Sequence, residues 1–344
     1  MAGKDHHHVW RMLQRGFGEK RGKDHHIWVY RKGAKPIAKG TGNFGVDKYF
    51  YGPEGSETDT IITNFENSVQ GEIQNVRKME DGEELSGAFV APLVAHLEIR
   101  SHFLRSELSS MFERLLAAID EHFSSPKKIQ ALLKHYLQNN RKEVDAFLAR
   151  NLVPTDRRGE ALNLLDAYID NLLPSAAVGF FNGKLSEIFR LAKLVPDGIK
   201  EAHNKSIIEI KPDSPRIRAL ETYAYSVYRP RDGQLILPDT CMAFAGSKNV
   251  APVSQFKDDM KLVIIPISSE VAICGCKGKQ RPTELKTINR LLAGCAYDAF
   301  IAKSNDQRLV PLTGRIGKYA KLMSDKDIRE LFEFEKLLSR QKFD

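Results

Sequence analysis

The spacing of hydrophobic residues changes twice along the chain and divides it into three parts. Near the N-terminus, the apolar run 27–30 is rich in β-branched and aromatic residues, which predicts a strand. A return strand over 36–38 would complete a hairpin across the turn 32–35. A glycine-rich loop over 40–45 then leads to the aromatic run 49–51. The first part of the chain therefore has a β texture.

From Thr58 the apolar residues recur at intervals of three and four, which is typical of one face of an amphipathic helix. The positions are Ile61, Ile62, Phe65, Val69, Ile73 and Val76. Residues 89–123 predict one or two further helices. Helices are also expected over 127–150, 158–172 and 175–195, so the middle of the chain is helical.

A β texture returns near residue 205. The predicted strands are 206–210, 223–228, 234–239, 262–267 and 271–274. We expect the second and third of these to form one hairpin across 230–233, and the fourth and fifth to form another across 268–270. A helix over 283–303, a basic linker and a last amphipathic helix over 325–341 complete the pattern.

These textures predict an α+β fold. We expect the β-rich segments 1–56 and 204–303 to share one sheet-containing body, because β texture occurs at both ends. The helical region 57–203 would be an insertion or a flanking layer, and 304–344 a basic linker with a terminal helix. A chain of 344 residues with 42% hydrophobic and 28% charged residues has the composition of a folded globular protein.

The sequence also bears on the compartment. No apolar run approaches the ~18 residues of a spanning helix, and the N-terminus lacks an apolar core of signal-peptide length. We therefore expect a cytoplasmic protein with no membrane partner. Few cysteines argue against a disulfide scaffold and predict reduced thiols. They are Cys241, Cys274, Cys276 and Cys295.

A net charge of +8 favours phosphate-rich partners. We predict weak, salt-sensitive contact with DNA or RNA through basic side chains near the N-terminus. These residues are Lys20, Arg21, Lys23, Arg31 and Lys32. The alternative is a basic but inert surface, and a partner protein is left open.

Several polar groups could carry chemistry. The histidine runs 6–8 and 25–26 could bind a metal if a hairpin joined them, but no HExxH spacing occurs, and packing or hydrogen bonding is the alternative. Cys274 and Cys276 lack the second pair of a zinc ribbon. The absence of a Walker loop, GxGxxG and GxSxG makes triphosphatases, dinucleotide enzymes and α/β-hydrolases less favoured. Charged residues beside apolar helical stripes form either an ion-pair network or a cleft lining. They are Glu66, Glu98 and Arg100, with His96 and His102 nearby.

The opening 6–17, His-His-His-Val-Trp-Arg-Met-Leu-Gln-Arg-Gly-Phe, resembles the start of an uncharacterised bacterial family called domain of unknown function 4238. Further pieces follow in the family's order over roughly 5–303. They are the strand 27–30, the pair Phe50-Tyr51, Glu66, Arg100, the turns 238–241 and 266–269, and Ile288-Asn289. The chain departs from the pattern at Trp10, Thr240-Cys241 and Ser269, where proline or Asn-Pro is usual, and at His96, where glutamine is common.

The resemblance implies no established activity, but it marks positions able to do chemistry. They are His7, Glu66, Arg100, Asp239 and Asn289. A histidine, carboxylates and an arginine suit phosphodiester hydrolysis, since they can move protons or hold a divalent metal and can stabilise phosphate charge. We predict that these side chains converge in the site of a hydrolase that acts on nucleic acid or nucleotide, of the nuclease or phosphodiesterase type. The family type suggests an effector of bacterial antiphage defence or a toxin system. The alternative is a non-enzymatic subunit that binds nucleic acid or protein and uses the same residues as a rigid polar core.

Overall fold

The computed structural model describes residues 5–171, 187–254, 260–278, 281–282 and 284–331. Their contacts separate into two compact units. The first contains Met1–Glu107 and Ile199–Lys321, and the second contains Leu108–Gly198 and Leu322–Asp344. Every residue predicted for a catalytic or nucleic-acid-binding role lies in the first unit.

The described helices are α1 (Arg11–Arg15), α2 (Glu57–Val76), α3 (Gly87–Ile99), α4 (His102–Phe123), α5 (Pro126–Asn139), α6 (Arg141–Arg150), α7 (Arg158–Asn171), α8 (Val195–Ile208), α9 (Pro215–Glu221), α10 (Leu285–Cys295) and α11 (Asp325–Leu331). Short 3-10 helices span Thr41–Asn43, Thr155–Arg157 and Gln307–Arg315. The described strands are β1 (Asp5–His7), β2 (Glu19–Arg21), β3 (Asp24–Arg31), β4 (Ile37–Gly40), β5 (Val46–Lys48), β6 (Glu84–Leu85), β7 (Ala224–Tyr228), β8 (Leu237–Pro238), β9 (Ala243–Gly246), β10 (Val250–Ala251), β11 (Met260–Ser268), β12 (Val271–Cys276) and β13 (Ala299–Ala302).

Two antiparallel sheets form the core of the first unit. One has the strand order β10-β9-β11-β12-β7-β6, and every residue of β12 is buried. The other has the order β2-β3-β13-β8, with β4 also paired to β3. The short strands β1 and β5 pair separately, with His6 opposite Asp47.

The predicted α+β class is confirmed, since the N- and C-terminal β segments share a sheet. Residues Trp28–Arg31 of β3 pair with Ala299–Ala302 of β13. The predicted helix from Thr58 is α2, and its N-terminus is capped by Ser56, whose hydroxyl accepts a hydrogen bond from the Asp59 amide. The hairpin predicted from the apolar run 262–267 is also present as β11 and β12.

Two predictions about the C-terminal β segment are wrong. Residues 206–210 are not a strand, since helix α8 runs to Ile208. His203 and Ile207 are buried four residues apart, so the helical face decides the structure of this short apolar run. The run 223–228 does not pair with 234–239, because β7 joins β12 and β6 while β8 joins β13. The turn between them carries the chain from one sheet to the other.

The helix predicted over 283–303 is too long. Helix α10 ends at Cys295, and the chain then enters β13, whose four residues are all buried. A short apolar run without alternation reads the same in a helix and in a buried strand, so the pattern alone does not place this boundary. Pairing of β13 between β3 and β8 decides it.

The second unit is helical over its described residues. Its described buried apolar residues are Leu116, Ile129, Val144, Leu148, Ile169 and Ile328. Arg114 on α4 donates to the Asp325 carboxylate at 2.7 Å, which joins α4 to the start of α11. The helix predicted over 175–195 falls largely on residues 172–186, and the end of the one predicted over 325–341 falls on 332–341, both outside the described residues.

The cysteines are free thiols and all four are buried, as the sequence predicts. Among the described residues, none of the helices combines the length and the apolar character needed to cross a membrane.

Replacement of Gly16 by alanine should destabilise the first unit. A Cβ at Gly16 would lie 2.4 Å from the carbonyl oxygen of Ile267, which is backbone and cannot turn aside. We expect the variant to lose about 1–3 kcal/mol in urea unfolding, as for other overpacked sites. The matched control is Gly71→Ala on the exposed face of α2, where no atom lies within 4 Å and a gain of about 0.5–1 kcal/mol is expected. Equal stabilities of Gly16→Ala and the parent chain would show that the end of α1 does not pack on β11.

Candidate functional site

A fully buried arginine joins three segments of the first unit. Arg100 follows the end of α3, and only 3% of its surface is exposed. Its Nη2 atom lies 2.6 Å from Oε1 of Glu66 on α2 and donates to the carbonyl oxygen of His7 at 2.9 Å. The Tyr51 hydroxyl donates to the Arg100 carbonyl oxygen at 3.0 Å. Three of the predicted site residues therefore meet here, although His7 takes part through its backbone.

The charge of Arg100 is maintained by its partners. Burial alone would lower its pKa, but the Glu66 carboxylate and Tyr51 act in the opposite direction, and the net effect raises the pKa. Within the described residues its buried Nε has no hydrogen-bond partner. A fixed positive charge thus lies in the interior of the unit and acts on every titratable group near it.

The histidines around this charge are held neutral. Burial lowers the pKa of His7, of His8 to about 3 and of His96 to about 4, and the charge of Arg100 contributes to all three shifts. The His96 ring stacks on Phe65 with centroids 3.6 Å apart. Neutral imidazoles at these positions can accept a proton or a hydrogen bond.

A cavity of about 240 Å³, which we call the His8 cavity, is lined by two histidines that face one carboxylate. Its polar lining side chains are His8, Arg31, Asn43, Asp47, His102, Asp239, Tyr297 and Asp298. Asp47 Oδ2 lies 3.6 Å from His8 Nε2 and 3.7 Å from His102 Nε2. The two imidazole centroids are 5.0 Å apart. One carboxylate oxygen therefore faces two imidazoles.

Local structure explains this arrangement. The amides of His8 and Val9 both donate to the Gly45 carbonyl oxygen, so the chain after β1 lies against the start of β5, which carries Asp47. Helix α4 begins at His102, and its first turn presents Arg105. The Arg105 guanidinium donates to the Phe50 carbonyl oxygen at 2.7 Å and lies over the Phe50 ring at 3.8 Å.

Arg105 is in turn positioned by helix α8. Its Nη2 atom lies 2.9 Å from Nδ1 of His203, whose Nε2 donates to the Ile99 carbonyl oxygen at 2.6 Å. Burial lowers the pKa of Arg105 to about 10, and burial together with the Arg105 charge lowers that of His203 to about 4. His203 is thus a neutral spacer that fixes Arg105.

Asp239 lines the His8 cavity, but its carboxylate is already engaged. It accepts backbone hydrogen bonds from Tyr297 at 2.7 Å, Asp298 at 2.7 Å and Ala299 at 3.0 Å. Burial raises the pKa of Asp239 to about 6, and these hydrogen bonds oppose that shift. Its observed role is to shape the loop before β13.

Asn289 does not join the other predicted residues. Its amide donates to the Gln234 carbonyl oxygen at 2.8 Å and accepts from the Ile236 amide at 3.2 Å. It lines a separate cavity beside α10. Buried backbone groups outside a regular ladder need partners, and a single side-chain amide supplies one donor and one acceptor to this irregular segment. The predicted convergence of all five residues is therefore wrong, since His7, Glu66 and Arg100 meet, whereas Asp239 lines the His8 cavity and Asn289 lies beside α10.

The five basic residues predicted to bind nucleic acid are all exposed, and they form two groups. Lys20, Arg21 and Lys23 lie at the β2–β3 turn, whereas Arg31 and Lys32 lie at the other end of β3. An eight-residue strand spans about 25 Å, so the two groups are separate patches. Only Arg31 lines the His8 cavity.

The two histidine runs do not form a metal site. His6 accepts a hydrogen bond from the Tyr51 amide at 2.9 Å and stacks on its ring, and His25 lies on β3. Across the described residues, no cluster of three or more His, Cys, Asp or Glu side chains has the arrangement to hold a metal ion.

Sequence reasoning missed the residues of the His8 cavity that matter most. Asp47 comes from a β strand of only three residues, and its contact with His102 joins positions 55 residues apart. His8 follows the predicted His7 and belongs to the histidine run 6–8, but it lies beyond the end of β1, so strand alternation gives no signal for it. Glu98, by contrast, is an internal structural group: it accepts from Ser254 and pairs with Arg216 at 3.6 Å.

Replacement of Glu66 by glutamine should destabilise the protein strongly. The variant leaves the Arg100 guanidinium buried without a counter-charge, which costs about 3–5 kcal/mol for a fully buried pair. Because 27% of the Glu66 side chain is exposed, we expect a loss near the lower end, about 3 kcal/mol by urea unfolding. The matched control is Glu72→Gln, an exposed position on the same helix, which should change little. A stable Glu66→Gln variant would mean that Arg100 does not need this partner.

Stability should fall as the pH drops below 6.5. The folded-state pKa values of His8, His96 and His203 lie at about 3 to 4, so the unfolded chain binds more protons than the folded chain between pH 6.5 and 4. At pH 5 each histidine should lower the unfolding free energy by about 2 kcal/mol.

The variant His96→Gln tests this directly, because glutamine does not titrate. When the pH falls from 7 to 5, the variant should lose about 2 kcal/mol less unfolding free energy than the parent chain. Urea unfolding at the two pH values measures the change, and an identical pH dependence of both chains would contradict it.

Comparison with known proteins gives no relative from which a role for the site could be inferred. No protein-family model, no curated protein and no solved structure matches this chain.

Proposed function

We propose that this chain hydrolyses phosphodiester bonds in nucleic acid at the His8 cavity, by acid–base catalysis with histidine. The observation that carries the proposal is the placement of two imidazoles on one carboxylate oxygen, Asp47 Oδ2, in the wall of a cavity. Two histidines can serve as the general base and the general acid of this reaction.

The different surroundings of the two imidazoles support complementary roles. Burial lowers the pKa of His8 to about 3, and a positive charge on His102 is the next largest cause. The His102 side chain is 35% exposed and faces the same Asp47 carboxylate oxygen. We therefore assign His8 as the general base and His102 as the general acid.

The reaction balances with these groups. Water attacks phosphorus and loses a proton to neutral His8, the P–O bond to the leaving sugar breaks, and His102 gives its proton to the departing oxygen. The products are a phosphate monoester and an alcohol. Proton transfer from His8 to His102 through solvent then restores the starting state.

Substrate binding would improve the weak basicity of His8. A bound phosphodiester carries a negative charge, which favours the protonated form of a nearby imidazole and raises its pKa. Arg31, in the lining of the same cavity, can neutralise charge on the phosphoryl oxygens. Lys32 follows it in the sequence and extends the positive surface.

A second candidate is a non-enzymatic subunit that binds nucleic acid or a partner protein. Its support is the exposure of Lys20, Arg21 and Lys23 at the β2–β3 turn, away from the end of β3 that carries Arg31. Backbone phosphates would bind there without any need for a catalytic group.

Activity of His102→Ala tests the proposal. Removal of a general acid typically lowers the rate about 10²- to 10⁴-fold, and we expect a fall in that range with labelled DNA and RNA oligonucleotides. The matched control is His135→Ala, a histidine on α5 in the other unit, which should retain activity. Thermal melts check that both variants are folded.

The outcomes separate the two candidates. If the parent chain cleaves the oligonucleotides and His102→Ala cleaves them at the same rate, the catalytic role of this cavity is overturned. Binding of oligonucleotides without cleavage, lost at high salt, would favour the binding subunit.

A further inference from the structure

A second cavity of about 420 Å³ lies between α1, β3 and α2, and it shares no lining residue with the His8 cavity. We call it the arginine cavity. It is lined by Trp10, Arg11, Met12, Arg15, His25, Glu66, Asn67, Gln70, Gln74 and Arg77.

The charge balance of the arginine cavity is strongly positive. Three guanidinium groups, those of Arg11, Arg15 and Arg77, line it together with one carboxylate. That carboxylate, Glu66, is already paired with the buried Arg100 at 2.6 Å. The electrostatic effect is visible at His25, whose pKa is lowered by burial and next by the charge of Arg15. Arg11 is paired with Asp24, so an anion in this cavity would meet chiefly the positive charges of Arg15 and Arg77.

The cationic groups are held in place to different degrees. Arg77 donates to the carbonyl oxygens of Met12 at 2.8 Å and Ile267 at 3.1 Å, so its charge is fixed by backbone. Arg11 lies 3.5 Å from Asp24, and its buried Nε has no hydrogen-bond partner within the described residues. Arg15 is exposed at the end of α1.

Helix α2 contributes a row of neutral hydrogen-bonding groups. Asn67, Gln70 and Gln74 follow one another at spacings of three and four, so their amides lie on one face of the helix and line the same cavity. Amides supply both donors and acceptors, which suits the edge of a base or a ribose. Arginines supply the forked donors that suit a phosphate.

We propose that the arginine cavity binds a nucleotide, with the phosphate on the arginines and the nucleoside along the amide row of α2. The site is independent of the proposed hydrolysis, since it requires no cleavage and shares no lining residue with the His8 cavity. The nucleotide is either free in solution or the phosphorylated end of a nucleic acid strand.

Calorimetric titration of the whole chain tests the site with adenosine and guanosine monophosphates, the matching nucleosides and inorganic phosphate. We expect Arg15→Gln to weaken monophosphate binding about tenfold, the effect of one charge-assisted hydrogen bond. The matched control, Lys35→Gln, removes an exposed charge outside the cavity and should bind as the parent does. The double variant Gln70→Ala/Gln74→Ala should weaken nucleotide binding while inorganic phosphate binding is kept.

A second measurement tests the site without measuring a binding affinity. In NMR titrations, a bound phosphate should raise the pKa of the His25 imidazole, and His25→Asn assigns the signal. A 5′-phosphorylated oligonucleotide compared with its 5′-hydroxyl form distinguishes a strand end from a free nucleotide.

Three results would overturn the proposal. They are equal binding by Arg15→Gln and the parent chain, equal binding of nucleosides and their monophosphates, and binding of inorganic phosphate as strong as that of the nucleotides.

Discussion

The first unit depends on one unfavourable placement, a guanidinium buried in its interior. A buried charge costs several kcal/mol unless it is paired and hydrogen-bonded. Arg100 meets that requirement with Glu66 from α2 and with the His7 carbonyl oxygen from the end of β1. Helix α2, the junction of α3 with α4, and the N-terminal strand are therefore held to one another by the needs of a single side chain.

The same charge sets the protonation of its surroundings. Positive potential adds to burial in lowering the pKa values of His7, His8 and His96, so these three imidazoles act as bases and not as cations. Two cavities are each lined by a residue that interacts with Arg100. His8 lines one of them and Glu66 the other, and each of these residues interacts with Arg100.

Features set by local periodicity could be predicted from the sequence, whereas features set by distant contacts could not. Helix α2 follows from the spacing of Ile62, Val69 and Ile73, which are all buried on one face. The family resemblance marked His7, Glu66 and Arg100, and their clustering was expected because buried charged groups need partners. Asp47 carries no such sign, and His102 was named only as a neighbour of Arg100. Both become significant only when β5 and α4 approach one another. Asn289 shows the converse error, since a polar residue matched for chemistry serves the backbone of 234–236.

The pairing of β3 with β13 has a consequence for how the protein is made. The edge of β3 that pairs with β13 must remain open until Ala299–Ala302 has been translated, about 270 residues later. At common elongation rates this interval lasts roughly 15–55 s, far longer than the formation of a hairpin or a helix. The walls of the His8 cavity come from both ends of that interval, from Arg31 as well as Tyr297. A ribosome-bound chain thus carries an incomplete site during nearly all of its synthesis, and an exposed β3 edge that must be kept from pairing with other nascent chains.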